Sequence, residues 1–272
     1  MIFTRFFLFI FLCVSCLANL SAQESQRFIV VTPEKTGTHL LTKLMSRLVN
    51  KEVHNCWEHS LPAKEFTTLL DEVESSNMFL HMHALPTKEI IQTLKKKKYK
   101  VFFLMRDPRD VMVSLLYYIE KGWSIGPCGL DKPYGTLSLP EKLQELITGE
   151  RFGLAMVEAI ILRRLDWMKE KSQFVYTAHF ENLVGSEGGG DDKKQLKEII
   201  KISQHLGLNL STAELKDIAK DLWGAEPGEN TTFRKGQLGG WKEEFTSEHK
   251  AAFKKRYNKL LIHLKYEKNS NW

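Results

Sequence analysis

The sequence has few cysteines, no internal repeat and only short glycine-rich stretches. Beyond residue 22 it contains just Cys56 and Cys128, which excludes a small domain held together by several disulfides but leaves one bridge between these two open. With 17 glycines and 8 prolines in 272 residues, a collagen-like or extensively disordered chain is also excluded. The 43% of hydrophobic and 11% of aromatic residues are instead typical of a globular protein with a buried core.

A long apolar run occurs only near the amino terminus. The stretch from Phe6 to Leu17 is rich in Phe and Leu, follows the single Arg5 and precedes small and polar residues. This pattern predicts a signal peptide over residues 1–22, with residues 23–272 forming one domain. Because the run is shorter than the about 20 residues that span a bilayer, we favour a cleaved leader over a signal anchor. We therefore expect a secreted or exported protein, in the periplasm, the extracellular space or the Golgi lumen depending on the host.

The chain carries a modest excess of positive charge, +6 at pH 7, which favours an anionic ligand. The densest basic cluster runs from Lys95 to Lys98 and includes Lys100. It lies between a predicted helix and a predicted buried strand. We interpret it as a solvated turn rather than a nucleic-acid or membrane surface, and we expect no nucleic-acid partner.

From residue 27 onward, β-rich runs alternate with helical patterns. This alternation predicts an α/β fold, in which a central parallel sheet is flanked by helices. The predicted strands are 28–31, 78–80, 101–105 and 174–176. The predicted helices are 38–49, 87–94, 110–120, 152–170, 193–205, 212–222 and 247–264, and the segments 124–140 and 185–192 are predicted loops.

The first candidate binding motif, Lys35-Thr-Gly-Thr38, lies between the first predicted strand and the first predicted helix. Consecutive backbone N–H groups at such a turn, together with the positive end of the helix, bind phosphate-like anions. The motif is not a Walker A loop, because Lys35 precedes the glycine. By itself it is equally consistent with a capped helix start.

The second candidate motif follows the strand 101–105. Arg106 stands at the carboxyl end of this strand and Ser114 lies one to two turns into the next helix, so the two are placed to hold a second phosphate from opposite sides. A structural alternative is that Asp107 and Asp110 cap the helix while Arg106 pairs with a carboxylate.

The third segment contains Arg234-Lys-Gly236, whose cations and flexible backbone suit closure over an anion. The three segments, in this order, resemble the cytosolic type of the sulfotransferase family, and Phe180-Glu-Asn-Leu183 is similar to that family's Tyr-Glu-Asp element. The resemblance covers about residues 27–250. It implies a P-loop NTPase-like sulfotransferase fold and the transfer of a sulfuryl group from 3′-phosphoadenosine 5′-phosphosulfate (PAPS) to a hydroxyl or amine.

The resemblance also assigns residues to the nucleotide. The first loop corresponds to the one that binds the 5′-phosphosulfate, and the second motif to the residues that hold the 3′-phosphate. Leu40 stands where the family has a tryptophan, so an aromatic face for adenine is expected from Phe180 or Trp223. We expect no metal, since cationic side chains can neutralise the charge. The remaining residues assigned to the nucleotide are Lys35, Thr36, Gly37, Thr38, His39, Arg106, Ser114, Arg234, Lys235 and Gly236.

Sulfuryl transfer needs a base for the acceptor proton and positive charge at the bridging oxygen. Lys35 is expected to contact the bridging and sulfuryl oxygens. For the base, the family places a histidine shortly before an apolar residue and a proline, a pattern that His83 matches. His81 stands where the family has a lysine and remains the alternative, and both histidines could instead be structural.

The acceptor is expected to be a small molecule, a lipid or a glycan. Loops rather than the fold determine which of these binds. Glu34 stands where the family has a proline, which puts a negative charge near the anion site. Four aromatic residues are candidates for the acceptor pocket or for the core. They are Trp123, Tyr134, Tyr117 and Tyr118. The oligomeric state stays open, since Ala251 stands where the family's dimerisation segment has a glutamate.

Export of the protein conflicts with the supply of its expected donor, because PAPS is made in the cytosol or imported into the Golgi lumen. Two other functions therefore stay open. One is a secreted protein that binds an adenosine bisphosphate without catalysis, and the other is a small-molecule kinase. The candidate groups Lys35, His83 and Ser114 favour the enzyme over the binding protein. The kinase is disfavoured because the sequence has neither a Walker A loop nor a metal-binding carboxylate after an apolar strand.

Overall fold

The computed structural model describes residues 27–122, 132–224 and 234–272. At its centre is a five-stranded parallel sheet in the order β2-β3-β1-β4-β5. The strands are β1 (Phe28–Val31), β2 (Val53–Cys56), β3 (Phe79–Met82), β4 (Lys100–Met105) and β5 (Val175–His179). The strands β2 and β3 lie on one side of β1, and the chain then crosses to form β4 and β5 on the other side. A crevice forms at the carboxyl end of β1 in such a sheet, and ligands bind there in open α/β folds.

Helices connect and cover these strands. They are α1 (Thr38–Val49), α2 (Ala63–Ser75), α3 (Lys88–Lys96), α4 (Pro108–Glu120), α5 (Lys132–Gly135), α6 (Leu139–Thr148), α7 (Phe180–Leu183), α8 (Asp192–Leu206), α9 (Thr212–Lys220), α10 (Trp241–Glu244) and α11 (Ser247–His263). A π-helical turn, Val157–Ile161, and a 3₁₀ segment, Leu162–Lys169, precede β5.

The central strands are buried on both faces. Alternate residues of β1 enter two separate cores: Ile29 and Val31 pack with α2, α3 and α4, while Phe28 and Val30 pack with α1, α8 and α9. Successive side chains of a strand point to opposite faces. A strand covered on both faces therefore reads as a continuous apolar run, which is why the sequence predicted β1 and β4 well.

The predicted fold class, an α/β fold with a central parallel sheet flanked by helices, is confirmed. The sequence reading missed β2, because Val53-His-Asn-Cys56 is a half-polar strand at the edge of the sheet. It also missed α2 and α6. Within the predicted loop 124–140, residues 132–135 and 139–140 are helical, and residues 123–131 lie outside the described part of the chain.

The predicted α-helix over 152–170 is wrong. The chain instead forms the π-helical turn and the 3₁₀ segment described above. The buried side chain of Arg164 donates hydrogen bonds to the carbonyl oxygens of Ala159 (3.0 Å) and Ile160 (2.9 Å). In a regular helix, the carbonyl oxygens accept hydrogen bonds from backbone N–H groups. The Arg164 side chain competes with those N–H groups for two carbonyl oxygens.

Lys95 and Lys96 end α3, and Lys97 and Lys98 form the turn before β4. Lys95 pairs with Glu170 at 2.7 Å. Within the described ranges, no helix combines the length and the apolar character needed to cross a membrane. The leader 1–22, Trp123 and Cys128 fall outside those ranges. Cleavage of the leader therefore stays a prediction, and the role of Trp123 and a bridge from Cys56 to Cys128 stay open.

Candidate active site

The turn after β1 brings Lys35 and the amino terminus of α1 to the crevice. Lys35 has a φ of 64° and Gly37 a φ of 111°, both in the left-handed region. A Cβ at position 37 would lie 2.5 Å from a ring carbon of Phe180, so only glycine fits there. No described side chain caps the amino end of α1, and the first N–H groups of this helix are thus suited to an anion.

Lys35 is half-buried on the wall of the crevice. Its Nζ lies 3.9 Å from the centre of the Tyr118 ring. Burial, together with the positive charges of Arg106 and Lys121, lowers the pKa of Lys35 to about 8. A half-buried ammonium beside two other cations favours a bound anion, because the anion offsets both the lost hydration and the repulsion.

Arg106 connects the first, second and third motifs. Its guanidinium lies 4.2 Å from the centre of the Phe180 ring, and it donates hydrogen bonds to the carbonyl oxygens of Lys35 (3.4 Å) and Gln237 (3.1 Å). Its Nε is buried and has no hydrogen-bond partner among the described residues. An unpaired buried donor on a cation is the feature expected of an anion site.

The two aspartates of the second motif have different roles. Asp107 caps α4 by accepting a hydrogen bond from the backbone N–H of Arg109 at 2.9 Å, as predicted. The prediction that Asp110 is a cap is wrong. Its carboxylate accepts hydrogen bonds from the backbone N–H groups of Gly239 and Trp241, both at 2.9 Å. Asp110 thus fixes the end of the third motif against α4.

The two histidines at the end of β3 differ in their hydrogen bonds. In His81, Nδ1 is 3.0 Å from Asn55 Oδ1 and Nε2 is 2.9 Å from Thr32 Oγ1, so both ring nitrogens are occupied. In His83, Nδ1 lies 2.7 Å from the carbonyl oxygen of Thr32 and donates to it. No described residue bonds to Nε2 of His83, which is left as the unprotonated nitrogen. Burial lowers the pKa of both rings.

Arg164 holds the segment after β3 in place. It donates two hydrogen bonds to the carbonyl oxygen of His83, at 3.1 and 2.9 Å, and one to Glu34 Oε1 at 3.2 Å. The indole N–H of Trp167 bonds to the carbonyl oxygen of Ala84 at 3.0 Å. One buried arginine therefore connects the loop after β1 with the loop that carries His83.

These groups surround one cavity of about 650 Å³ at the carboxyl ends of the strands. Most of the predicted site residues line it, namely Lys35, Gly37, Thr38, His39, His83, Arg106, Ser114, Phe180, Trp223, Arg234, Lys235 and Gly236. Thr36 is not among the lining residues: its hydroxyl is buried and donates to the carbonyl oxygen of Pro33 at 2.7 Å.

The basic residues of the third motif lie close to acidic ones. Arg234 stacks 4.0 Å from the centre of the Tyr117 ring and lies 3.4 Å from Glu244, while Lys235 lies 3.1 Å from Glu243. Both cations nonetheless line the cavity. The pair of Lys235 with the exposed Glu243 is weak, so Lys235 is able to turn toward an anion, whereas Arg234 is held by the half-buried Glu244 and by Tyr117.

The predicted aromatic residues separate into wall and core. Tyr118 lines the cavity, whereas Tyr134 is buried in the core and its hydroxyl bonds to the carbonyl oxygen of Lys142 at 3.4 Å. The sequence reading missed Trp57, His59 and Arg164. They lie outside the three motifs, and only the positions of β2 and the 3₁₀ segment bring them to the site. In the described part of the chain, no group of three or more His, Cys, Asp or Glu side chains is placed to hold a metal ion.

The family model for the sulfotransferase domain matches residues 25–265. The chain belongs to the sulfotransferase family. It is an enzyme, and its parallel sheet with the crevice at β1 is the sulfotransferase fold.

Among similar sulfotransferases, the 3-beta-hydroxysteroid sulfotransferase of Cavia porcellus is 24% identical over 259 residues, which is 86% of this chain and 83% of that protein. Human sulfotransferase 2A1 is 26% identical over 267 residues, 88% of this chain and 85% of that protein. Among solved structures, mouse sulfotransferase SULT7A1 complexed with PAP has a TM-score of 0.62 at 19% identity, covering 87% of this chain and 85% of that one. Retinol dehydratase in complex with androsterone and the inactive cofactor PAP has a TM-score of 0.59 at 17% identity, covering 87% and 81%.

Proposed function

We propose that this sulfotransferase transfers a sulfuryl group from PAPS to a hydroxyl or amine of a small-molecule acceptor. The observation that carries the proposal is the convergence of Lys35, His83 and Arg106 on one cavity at the carboxyl end of β1. The PAP complexes of mouse SULT7A1 and of retinol dehydratase support the choice of donor.

The residues of the cavity suit PAPS. Lys35 and the uncapped amino end of α1 provide positive charge and N–H donors for the 5′-phosphosulfate. Arg106, whose Nε has no partner among residues 27–122, 132–224 and 234–272, and Ser114 provide donors for the 3′-phosphate. Phe180 and Trp223, both on the cavity wall, offer aromatic surface for adenine.

In the proposed reaction, Nε2 of His83 accepts the proton of the acceptor as the acceptor oxygen or nitrogen bonds to sulfur. The bond between sulfur and the 5′-phosphate oxygen breaks, and Lys35 stabilises the charge that develops on this oxygen. The products are the sulfated acceptor and adenosine 3′,5′-bisphosphate (PAP). The hydrogen bond from Nδ1 to the carbonyl oxygen of Thr32 supports this role, because it orients the ring and fixes the tautomer.

Calorimetric titration of the protein with PAP, with ATP as the comparison, tests the donor site. We expect PAP to bind at least tenfold more tightly than ATP, and Arg106→Lys to lose most of this affinity since lysine cannot form the paired contacts of a guanidinium. The exposed Arg163→Lys is the matched control and should bind PAP as the wild type does. Equal affinity for ATP and PAP would favour a kinase. PAP binding without sulfation of any hydroxyl or amine acceptor would favour the non-catalytic binding protein.

We further propose that residues 1–22 are a cleaved export signal. The family match begins at residue 25, so the apolar run precedes the domain. Expression of the full chain in a secreting host, followed by amino-terminal sequencing of the mature protein, tests this. Recovery of the protein only inside the cell with Met1 or Ile2 at its amino terminus would contradict export.

A further inference from the structure

We propose that the acceptor of this sulfotransferase carries a cationic amino group, which Glu34 and Trp57 bind beside His83. This inference rests on the proposed function, because it concerns the acceptor half of the same cavity. It starts from a carboxylate that the loop after β1 places on the wall of that cavity.

One oxygen of Glu34 has no hydrogen-bond partner in the described part of the chain. Its Oε1 accepts hydrogen bonds from His59 Nε2 at 3.0 Å and from Arg164 at 3.2 Å. Its Oε2 is buried and has no hydrogen-bond partner among the described residues. A buried carboxylate oxygen without a donor is unfavourable, so a ligand that brings a donor to it gains affinity.

The charge at this position selects a cation. Burial by itself raises the pKa of Glu34, but the hydrogen bond from His59 and the charge of Arg164 outweigh it, and the pKa ends below its usual value. The carboxylate is therefore ionised at neutral pH. The other N–H groups of Arg164 bond to the carbonyl oxygens of His83, Ala159 and Ile160, and none of them reaches Oε2.

Trp57 offers the second half of the site. Although tryptophan is usually buried, this side chain is 62% exposed, and its ring centre lies 5.5 Å from that of His83. It also lines the cavity. An exposed aromatic face beside a carboxylate binds an ammonium group through the ring and the charge together. His59 contacts the same carboxylate and is half-exposed. The ammonium group enters beside it.

Two carboxylates, Glu34 and Asp110, line the same cavity as the cations of the three motifs. Asp110 accepts hydrogen bonds from Gly239 and Trp241, whereas Glu34 keeps Oε2 without a partner among the described residues. Arg164 bonds both to Glu34 and to the carbonyl oxygen of His83, which places this carboxylate near His83, where the acceptor must lie for its proton to reach Nε2. A neutral acceptor of the same shape brings no donor to Oε2 of Glu34.

Binding of two matched probes to the complex with PAP tests the proposal. Tyramine carries a phenol and an ammonium group, and 4-ethylphenol is its counterpart without the amine. With PAP saturating, we expect tyramine to bind at least tenfold more tightly by calorimetry. Failure of PAP itself to bind would contradict the proposed function. If PAP binds and tyramine has no advantage over 4-ethylphenol, only the amine inference is overturned.

Variants then assign the preference to these residues. Glu34→Gln should reduce the ratio of the two affinities to about one, while the exposed Glu72→Gln should leave it unchanged. A preference that survives Glu34→Gln overturns the inference. Should Glu34→Gln fail to bind PAP, the exposed Trp57→Leu decides. We expect it to weaken tyramine binding several-fold more than 4-ethylphenol binding, and an equal effect on both overturns the inference.

Discussion

At the scale of single residues, hydrogen bonds distinguish two histidines, of which the sequence motif favours His83 and leaves His81 as the alternative. His81 and His83 are two positions apart on the same strand end, yet His81 has both ring nitrogens bonded to Asn55 and Thr32. His83 keeps Nε2 without a described partner. The difference comes from Asn55 on β2, a strand that sequence patterns did not predict. The hydrogen-bond partners thus favour His83 as the base.

We expect His83→Gln to lower kcat by at least 100-fold, since glutamine cannot take up a proton and general bases contribute about 10²–10⁴ to rates. The affinity for PAP should stay within about twofold, because the ring is assigned to the acceptor rather than to the nucleotide. PAP formation at saturating PAPS with a hydroxyl or amine acceptor measures the first quantity and calorimetry the second. Nearly unchanged kcat would exclude His83 as the base.

Lys35 leads to a prediction about protons. With a pKa of about 8 in the protein alone, a large fraction of Lys35 is neutral at pH 8. A bound anion favours the charged form and raises this pKa, so PAP binding should take up a fraction of a proton near pH 8. Affinity for PAP should accordingly fall as the pH rises from about 7 to 9.

Calorimetric titrations of PAP in two buffers with different ionisation enthalpies measure that proton uptake. Lys35→Arg is the matched variant, because arginine keeps the positive charge and does not lose its proton in this range. Its proton uptake at pH 8 should be much smaller. If wild type and variant take up protons equally, another group is responsible.

At the scale of elements, Arg164 connects parts of the chain that are far apart in sequence. Its side chain is 1% exposed and bonds to Glu34 in the loop after β1 and to the His83 carbonyl after β3. The same guanidinium donates hydrogen bonds to two carbonyl oxygens of the π-helical turn. The irregular segment 157–169 therefore holds the loop after β1 and the loop that carries His83 at a fixed distance from each other.

Arg164→Met should destabilise the fold by about 3–5 kcal/mol, the range observed when one partner of a buried ion pair is removed. The free energy of unfolding from denaturant titration measures it, with the exposed Arg163→Met as control. Adding Glu34→Gln to Arg164→Met should recover part of the loss, because the buried carboxylate is then no longer charged. If the two effects simply add, Glu34 and Arg164 are not coupled.

At the scale of the whole molecule, the buried carboxyl group of Glu181 makes the free energy of unfolding depend on pH. Glu181 follows the strand β5 and accepts hydrogen bonds from the backbone N–H of Asp107 (2.8 Å) and the hydroxyl of Tyr266 (3.2 Å). It thus joins α7, the start of α4 and the carboxyl-terminal segment. Burial raises its pKa to about 7.

Because the pKa of Glu181 is higher in the folded than in the unfolded chain, the folded state holds a proton that the unfolded state releases. Its contribution to stability is present at low pH and is lost as the pH rises toward 7. In Glu181→Gln the amide oxygen can still accept from the Asp107 N–H while the amide NH2 donates to the Tyr266 oxygen. This variant should remove a loss on the order of 2 kcal/mol between pH 5 and 8. Denaturant unfolding of both proteins at these two pH values checks it, and parallel pH dependence would contradict the assignment.

The sequence by itself determined the α/β class, the strands β1, β3, β4 and β5, and the three motifs that meet in the crevice. Buried parallel strands are continuous apolar runs, and anion-binding turns require particular residues at fixed spacing, so both are local patterns. Only the tertiary structure decided the roles of Asp110, His81, Glu34, Trp57 and Arg164. Each of these depends on a partner distant in the chain, such as Gly239 for Asp110 or Glu34 for Arg164, and no local pattern encodes which buried polar groups will meet.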